Sequence, residues 1–106
     1  MPLTDHPVRL TQPALKVIRL LLKKPPARRF GTELSTATKV GPGTLYPMLA
    51  RLEQAGWLTS EWETIDPRQA GRPRRRLYWL TDIGKNKGRA ALTELQMAAA
   101  DLAGKS

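Results

Sequence analysis

Between Val40 and Leu58 the chain reads VGPGTLYPMLARLEQAGWL, and a little further on it reads Gly71-Arg72-Pro73-Arg74-Arg75-Arg76. Glycine and proline punctuate both stretches so closely that few arrangements are open to them. Val40-Gly41-Pro42-Gly43 marks a tight turn. Leu45, Met48, Leu49 and Leu52 then recur at helical spacing, and Gly56 stands where a helix ends in a left-handed residue. The pattern predicts a short helix with an accessible N-terminus, a stop, a strand and an arginine-loaded turn. With Gly43 or Thr44 as the cap, Pro47 falls in or just beyond the first turn, where few intrahelical bonds are lost.

The other segments are arranged around that unit. Residues 1–10 hold Pro2 and Pro7 and show no period, which predicts an extended arm. Thr11 is the expected cap of a first helix with Pro13 in its opening turn. On that helix Leu15, Ile18, Leu21 and Leu22 face inward, Lys16, Arg19 and Lys23 face outward, and Pro25-Pro26 stop it near Lys24. A second helix over Phe30–Thr38 is expected to bury Phe30, Leu34 and Ala37. Trp57–Ile65 and Arg76–Thr81 have strand character. Asp66-Pro67 and Gly71-Arg72-Pro73 keep the roughly ten residues between them from pairing. Leu58, Leu80 and Tyr78 are expected on the inward face, and Trp62 and Trp79 are placed to pair across the hairpin. Thr81 caps a last helix, with Asp82 at its positive end, that runs to about Ala103 before Gly104.

The order helix, helix, helix, strand, strand, helix is that of a winged helix, a mainly α fold with a small β-hairpin. Residues 11–81 are expected to form the winged helix-turn-helix, a layout suited to a DNA-binding domain, and residues 82–106 a C-terminal dimerisation helix. At roughly 1.5 Å per residue that helix reaches about 33 Å, more than a three-helix core covers. Leu92, Leu95, Ala99 and Leu102 follow the three–four–three spacing of a short coiled coil and are the expected dimer contact.

Composition narrows the function. Eighteen basic residues against nine acidic ones in 106 give +9 and a pI near 10.7. Such an excess calls for a polyanionic partner. The absence of cysteine excludes disulfides and thiolate chemistry, and a lone His6 cannot assemble a zinc site. No apolar run is long enough to span a bilayer. The N-terminus lacks the basic start and apolar stretch of a signal peptide, so a cytoplasmic location is expected. The acids are scattered, and none pairs with a nucleophile or a set of metal ligands. An enzyme is therefore not expected, nor a cofactor, nor a metal.

Once the apolar face of the third helix turns inward, Thr44, Tyr46, Pro47, Ala50 and Arg51 are left outside. A recognition helix meets DNA mainly through its N-terminal residues. Gly41 and Gly43 clear the approach to its free N–H groups, Thr44 and Tyr46 offer hydroxyls to phosphate, and Lys39 is the nearest long donor. No asparagine or arginine occupies the first turn, where base edges are read. Sequence preference is therefore expected to come in part from the wing and from DNA shape. The wing carries Arg68, Arg72, Arg74, Arg75 and Arg76 against Asp66. Arg72 and Arg74, in a restricted turn, are expected to probe a narrow minor groove. Lys16, Arg19, Lys23, Arg28 and Arg29 form a second basic cluster expected to flank the duplex. The candidate DNA-binding set is Lys39, Gly43, Thr44, Tyr46, Pro47, Arg51, Arg72, Arg74 and Arg75.

Gly43-Thr44-Leu45-Tyr46-Pro47, continued by Leu49, Arg51-Leu52-Glu53 and Gly56-Trp57-Leu58, resembles the hallmark of the PadR-type transcriptional regulators. Gly71-Arg72-Pro73, Tyr78, Leu80-Thr81 and Gly84 add to the likeness, and Phe30-Gly31-Thr32-Glu33-Leu34 is similar to the family's aromatic–glycine segment. The resemblance covers about residues 11–88. It implies a dimeric winged-helix DNA binder, generally a repressor, in which Thr44 and Tyr46 touch the backbone and the wing enters the minor groove. The single C-terminal helix resembles the shorter subgroup. That helix holds no tryptophan, so an aromatic ligand sandwich at the dimer centre and a small-molecule effector are not expected. The expected function is a sequence-specific transcriptional regulator, a repressor acting as a homodimer on double-stranded DNA at a near-palindromic operator. An architectural DNA binder or recombination accessory factor of a mobile element is the alternative on the same fold.

Overall fold

A computed structural model describes residues 10–23 and 28–103, apart from the side chains at 102 and 103. Of the expected arm over residues 1–10, all but Leu10 lies outside the described residues, as do the Pro25-Pro26 stop and Gly104, and Leu10 packs partly against the core. In chain order the elements are α1 (Gln12–Leu22), β1 (Arg29–Phe30), α2 (Gly31–Thr38), α3 (Pro42–Gln54), β2 (Leu58–Trp62), α4 (Pro67–Ala70), β3 (Arg76–Leu80) and α5 (Asp82–Ala103).

Thr11 caps α1 as expected, its Oγ1 accepting from the Ala14 N–H at 3.3 Å. The buried stripe is Ala14, Val17, Ile18 and Leu21, while Leu15 and Leu22 are only half-buried. These four are the i, i+3, i+4, i+7 set of one helix face, and small Ala14 belongs to it ahead of bulkier Leu15. In α2, Ala37 is exposed and Thr38 is buried instead. Its hydroxyl donates to the Leu34 carbonyl at 2.6 Å and accepts from the Val40 N–H, so burial leaves it satisfied.

Phe30 is the N-cap of α2 and not its first helical residue, its N–H donating to Glu33 Oε1 at 2.9 Å. It belongs to β1, where Arg29 pairs with Tyr78 and Phe30 with Leu77, antiparallel. The sheet therefore has three strands in the order β1-β3-β2. A two-residue strand is too short to show a period, which is why the pattern predicts only a hairpin.

Gly41, and not Gly43 or Thr44, caps α3, and Pro42 takes the first helical position. Pro47 consequently sits in the second turn, with no N–H to give the Gly43 carbonyl. The far end closes as the sequence indicates. Gly56 is left-handed at φ +82, the Trp57 N–H reaches the Leu52 carbonyl, and the Gly56 N–H reaches that of Glu53, each at 3.0 Å. This is the Schellman pattern, and it turns the chain straight into β2.

Leu58 faces Leu80, Ser60 faces Tyr78 and Trp62 faces Arg76, with Leu58, Leu80 and Tyr78 buried as expected. Burying those three sets the register. That register puts Thr59, not Trp62, opposite Trp79, so the two tryptophans lie on opposite faces of the sheet and do not pair. The wing loop also holds a helical turn, α4, capped by the Asp66 carboxylate on the Arg68 N–H.

Thr81 locks α5 onto the end of α3. Its hydroxyl donates to the Gly56 carbonyl at 2.6 Å and accepts from the Gly84 N–H at 3.0 Å. A Cβ on Gly84 would stand 1.9 Å from the Trp57 carbonyl oxygen, so the first turn of α5 can lie against Trp57 only with glycine at that position. The core joins the α1 stripe to Leu34, Val40, Leu45, Leu49, Leu52, Trp57 and the inner sheet residues. Leu92 packs partly against it, and residues 93–101 of α5 are all exposed.

Candidate nucleic-acid interface

Turning Leu45, Met48, Leu49 and Leu52 into the core leaves Thr44, Tyr46, Pro47, Ala50 and Arg51 exposed along α3. Gly41 and Gly43 are exposed as well. A Cβ on either would meet nothing within 4 Å, and neither has a left-handed backbone. Among the described residues nothing requires glycine at these two positions. Their effect is outward, leaving the positive end of α3 and the Gly43 N–H open to an anion, since Pro42 has no N–H and that of Thr44 donates to the Gly41 carbonyl at 3.1 Å.

Tyr46 is held differently. Its ring lies against Gly31, where an added Cβ would come within 2.7 Å of the hydroxyl oxygen and 2.8 Å of Cε1. The aromatic–glycine segment and the Gly-Thr-Leu-Tyr-Pro run thus meet in space, and the hydroxyl end of the ring is steadied on Gly31 while the residue stays 41% exposed. Lys39 ends α2 in a left-handed conformation, φ 61, and is exposed beside the turn into α3.

The wing is organised by Glu63, which the sequence pattern did not single out. Its carboxylate is only 13% exposed. It accepts from Arg72 Nη1 and Nη2 at 2.6 and 3.0 Å, and from the Arg75 backbone N–H and Nε at 2.9 and 3.3 Å. The Arg72 hydrogen bonds foremost, seconded by Arg75 and opposed by partial burial, hold the carboxyl down to about 2 from an ordinary 4.5. The same pairing raises Arg72 further above its usual value. Arg75 also stacks over the Phe30 ring at 4.0 Å.

Arg72 is therefore not the free tip that its position in the turn suggests. The signal that finds this is register: residue 63 continues β2 opposite residue 75, which brings an acid under the wing arginines. Arg74 stays exposed, donates through Nε to the Ile65 carbonyl at 3.0 Å, and forms no ion pair among the described residues. Arg76 points to the other face, its Nε on Ser60 Oγ at 2.7 Å, while Ser60 donates to Glu53 Oε1 at 2.7 Å. The wing thus presents one set of arginines on each face.

The second basic cluster divides. Lys16, Arg19 and Lys23 remain exposed along α1. Arg28 is drawn over the Trp79 ring at 4.1 Å and toward Glu61 at 3.7 Å. Arg29 is half-buried in β1, with its Nε enclosed and unpartnered. Among the described residues no His, Cys, Asp or Glu side chains gather as a metal site, and no helix is long and apolar enough to cross a membrane.

A three-helix core with a three-stranded wing beside an open α3 N-terminus defines a winged-helix protein. The pattern of the Transcriptional regulator PadR-like family matches residues 27–90, more than half of the chain, and the chain belongs to that family of transcriptional regulators. It is similar to the transcriptional regulator Rv3488 of Mycobacterium tuberculosis, 48% identical over 65 residues, 61% of this chain and 52% of that protein. The match therefore spans about half the length of that curated relative. Among solved structures, smu.1704 from Streptococcus mutans UA159 superposes with a TM-score of 0.68 at 24% identity, over 94% of this chain and 91% of the other. A PadR-like transcription factor from Bacteroides fragilis gives 0.61 at 28% identity, over 83% and 87% of the two chains.

Proposed function

We propose that this chain binds double-stranded DNA as a homodimer at a near-palindromic operator in the cytoplasm and represses transcription there. The observation that carries the reading is the glycine-cleared N-terminal turn of α3, exposed beside an arginine-bearing wing. In this arrangement the Gly43 N–H, with the hydroxyls of Thr44 and Tyr46, takes backbone phosphates. Pro47 keeps the contact face flat, and Lys39 and Arg51 supply flanking charge. Arg74 reaches for the minor groove. Arg72 and Arg75 act chiefly by holding the wing on Glu63, with their outer edges adding to its positive field.

The dimer is assigned to α5. Beyond Leu92, which it shares with its own core, the helix exposes Leu95 at 47% and also Ala99, on the seam that Leu102 continues in sequence. A symmetric pair joined there presents two α3 helices to half-sites about 34 Å apart, one turn of the duplex. Repression follows where such an operator overlaps a promoter and excludes polymerase.

The test is a titration of selected and random duplexes at several salt concentrations, with footprinting of the selected site. The expected result is tighter binding to the selected duplex, one palindromic footprint, and affinity that falls steeply with salt. Equal affinity for both duplexes would overturn the specific regulator. Tandem footprints with a strong bend would replace it with the architectural role.

A further inference from the structure

Between α3 and the inner face of the wing runs an open groove of about 700 Å³. Trp62, Arg74 and Arg76 form one wall, Tyr46 and Ala50 the other, and the start of α2 at Thr32 one end. Trp62 is 57% exposed and takes no part in the hydrophobic core. The Arg76 guanidinium lies over its ring at 5.1 Å.

The arginine is fixed by its neighbours. Ser60 takes its Nε, Glu53 takes the Ser60 hydroxyl, and the Glu53 carboxylate stands 3.9 Å from Nη2, too far for a hydrogen bond. The terminal N–H groups are therefore aimed without being saturated. Glu53 is the one acid lining the groove and is opposed by Arg74 and Arg76, so the surface is net positive. A pinned guanidinium beside an exposed indole matches a sugar–phosphate unit. The fork suits the phosphate oxygens, and the flat ring suits the apolar face of the sugar.

We propose that this groove seats one strand of the DNA backbone where it crosses from α3 to the wing, with Arg76 donating to a phosphate and Trp62 packing on the adjoining deoxyribose. The proposal rests on the DNA-binding reading above and adds two contact residues to it. It also gives the recognition helix and the wing a shared register on the duplex, because Glu53 of α3 and Arg76 of β3 meet through Ser60 at the same point.

The experiment uses the full chain and a selected duplex carrying single neutral methylphosphonate linkages, walked along each strand. Neutralising the phosphate in the groove is expected to weaken the wild type about tenfold, the scale of one charge-assisted bond, and to leave Arg76→Gln unchanged because the partner is already gone. Trp62→Ala is expected to weaken binding several-fold, with Trp62→Phe retaining most of it. The blue shift of tryptophan emission on binding is expected to be lost in Trp62→Phe. Phosphates facing Thr44 and Tyr46 should still register in Arg76→Gln, which reports that its fold and its helix contact are intact. If those phosphates register and no position couples to Arg76, the groove proposal fails while the DNA-binding reading stands. If no linkage matters anywhere, the DNA-binding reading itself fails.

Discussion

Glu63 and Arg72, nine positions apart, close the wing on itself through two N–H···O bonds of 2.6 and 3.0 Å. The Arg75 backbone N–H completes the ring of donors around the same carboxylate. A turn that carries five arginines would otherwise repel itself. Glu63 converts part of that charge into shape.

Acid is expected to release this clasp. The Glu63 carboxyl is depressed from 4.5 to about 2 in the folded chain, so its contribution is present above pH 4.5 and is lost as the pH falls toward 2. An NMR titration of the Arg75 amide should show a midpoint near 2, and a midpoint at 4.5 would mean the bonds do not form in solution. At neutral pH, Glu63→Gln is expected to speed tryptic cleavage within the wing while scarcely moving the thermal midpoint.

Arg74 and Arg72 are expected to behave differently. Arg74→Ala should weaken DNA binding about tenfold and flatten the salt dependence by about one unit of slope, with the wing still resistant to trypsin. Arg72→Ala should open the wing to trypsin first and lose affinity as a consequence. Identical protease patterns in the two variants would remove the distinction.

Lys39 is held left-handed, where a side chain costs roughly 1–2 kcal/mol relative to glycine. Lys39→Gly is expected to raise stability by about 1 kcal/mol and to lower DNA affinity through the lost cation. Denaturant melts and a DNA titration of the same variant check both signs. An affinity equal to wild type would take Lys39 out of the interface.

Glycines inside and outside the fold should separate cleanly. Gly84→Ala meets a backbone carbonyl at 1.9 Å, which no rotamer can relieve, and should cost about 3 kcal/mol in a denaturant melt. Gly43→Ala meets nothing and should leave stability within about 0.5 kcal/mol while impairing DNA binding. Undiminished affinity in Gly43→Ala would show that α3 does not approach phosphate end-on.

Leu95→Asp puts a charge into the proposed seam of α5 and is expected to yield monomers in sedimentation without loss of helix content. Leu92→Asp should also unsettle the fold, because Leu92 packs partly on its own core. A wild-type chain that sediments as a monomer would refute the assignment of the dimer to α5.

Features written within a few residues were legible from the sequence. Thr11 and Thr81 cap their helices, Gly56 ends α3, and Leu45, Met48, Leu49 and Leu52 choose its buried face. Each depends on local backbone chemistry or on helical period, and neither needs a distant partner. The order of α1, α2, α3, the β2–β3 hairpin and α5, and the exposed face of α3, follow from these alone, whereas β1 and α4 do not. What only the tertiary structure decided are meetings between separate segments: β1 on β3, Tyr46 on Gly31, Arg28 on Trp79, and above all Glu63 under Arg72 and Arg75. A charge count along the chain weights every arginine equally. The fold does not, because strand register determines which of them find an acid or a ring and which, like Arg74, are left facing outward.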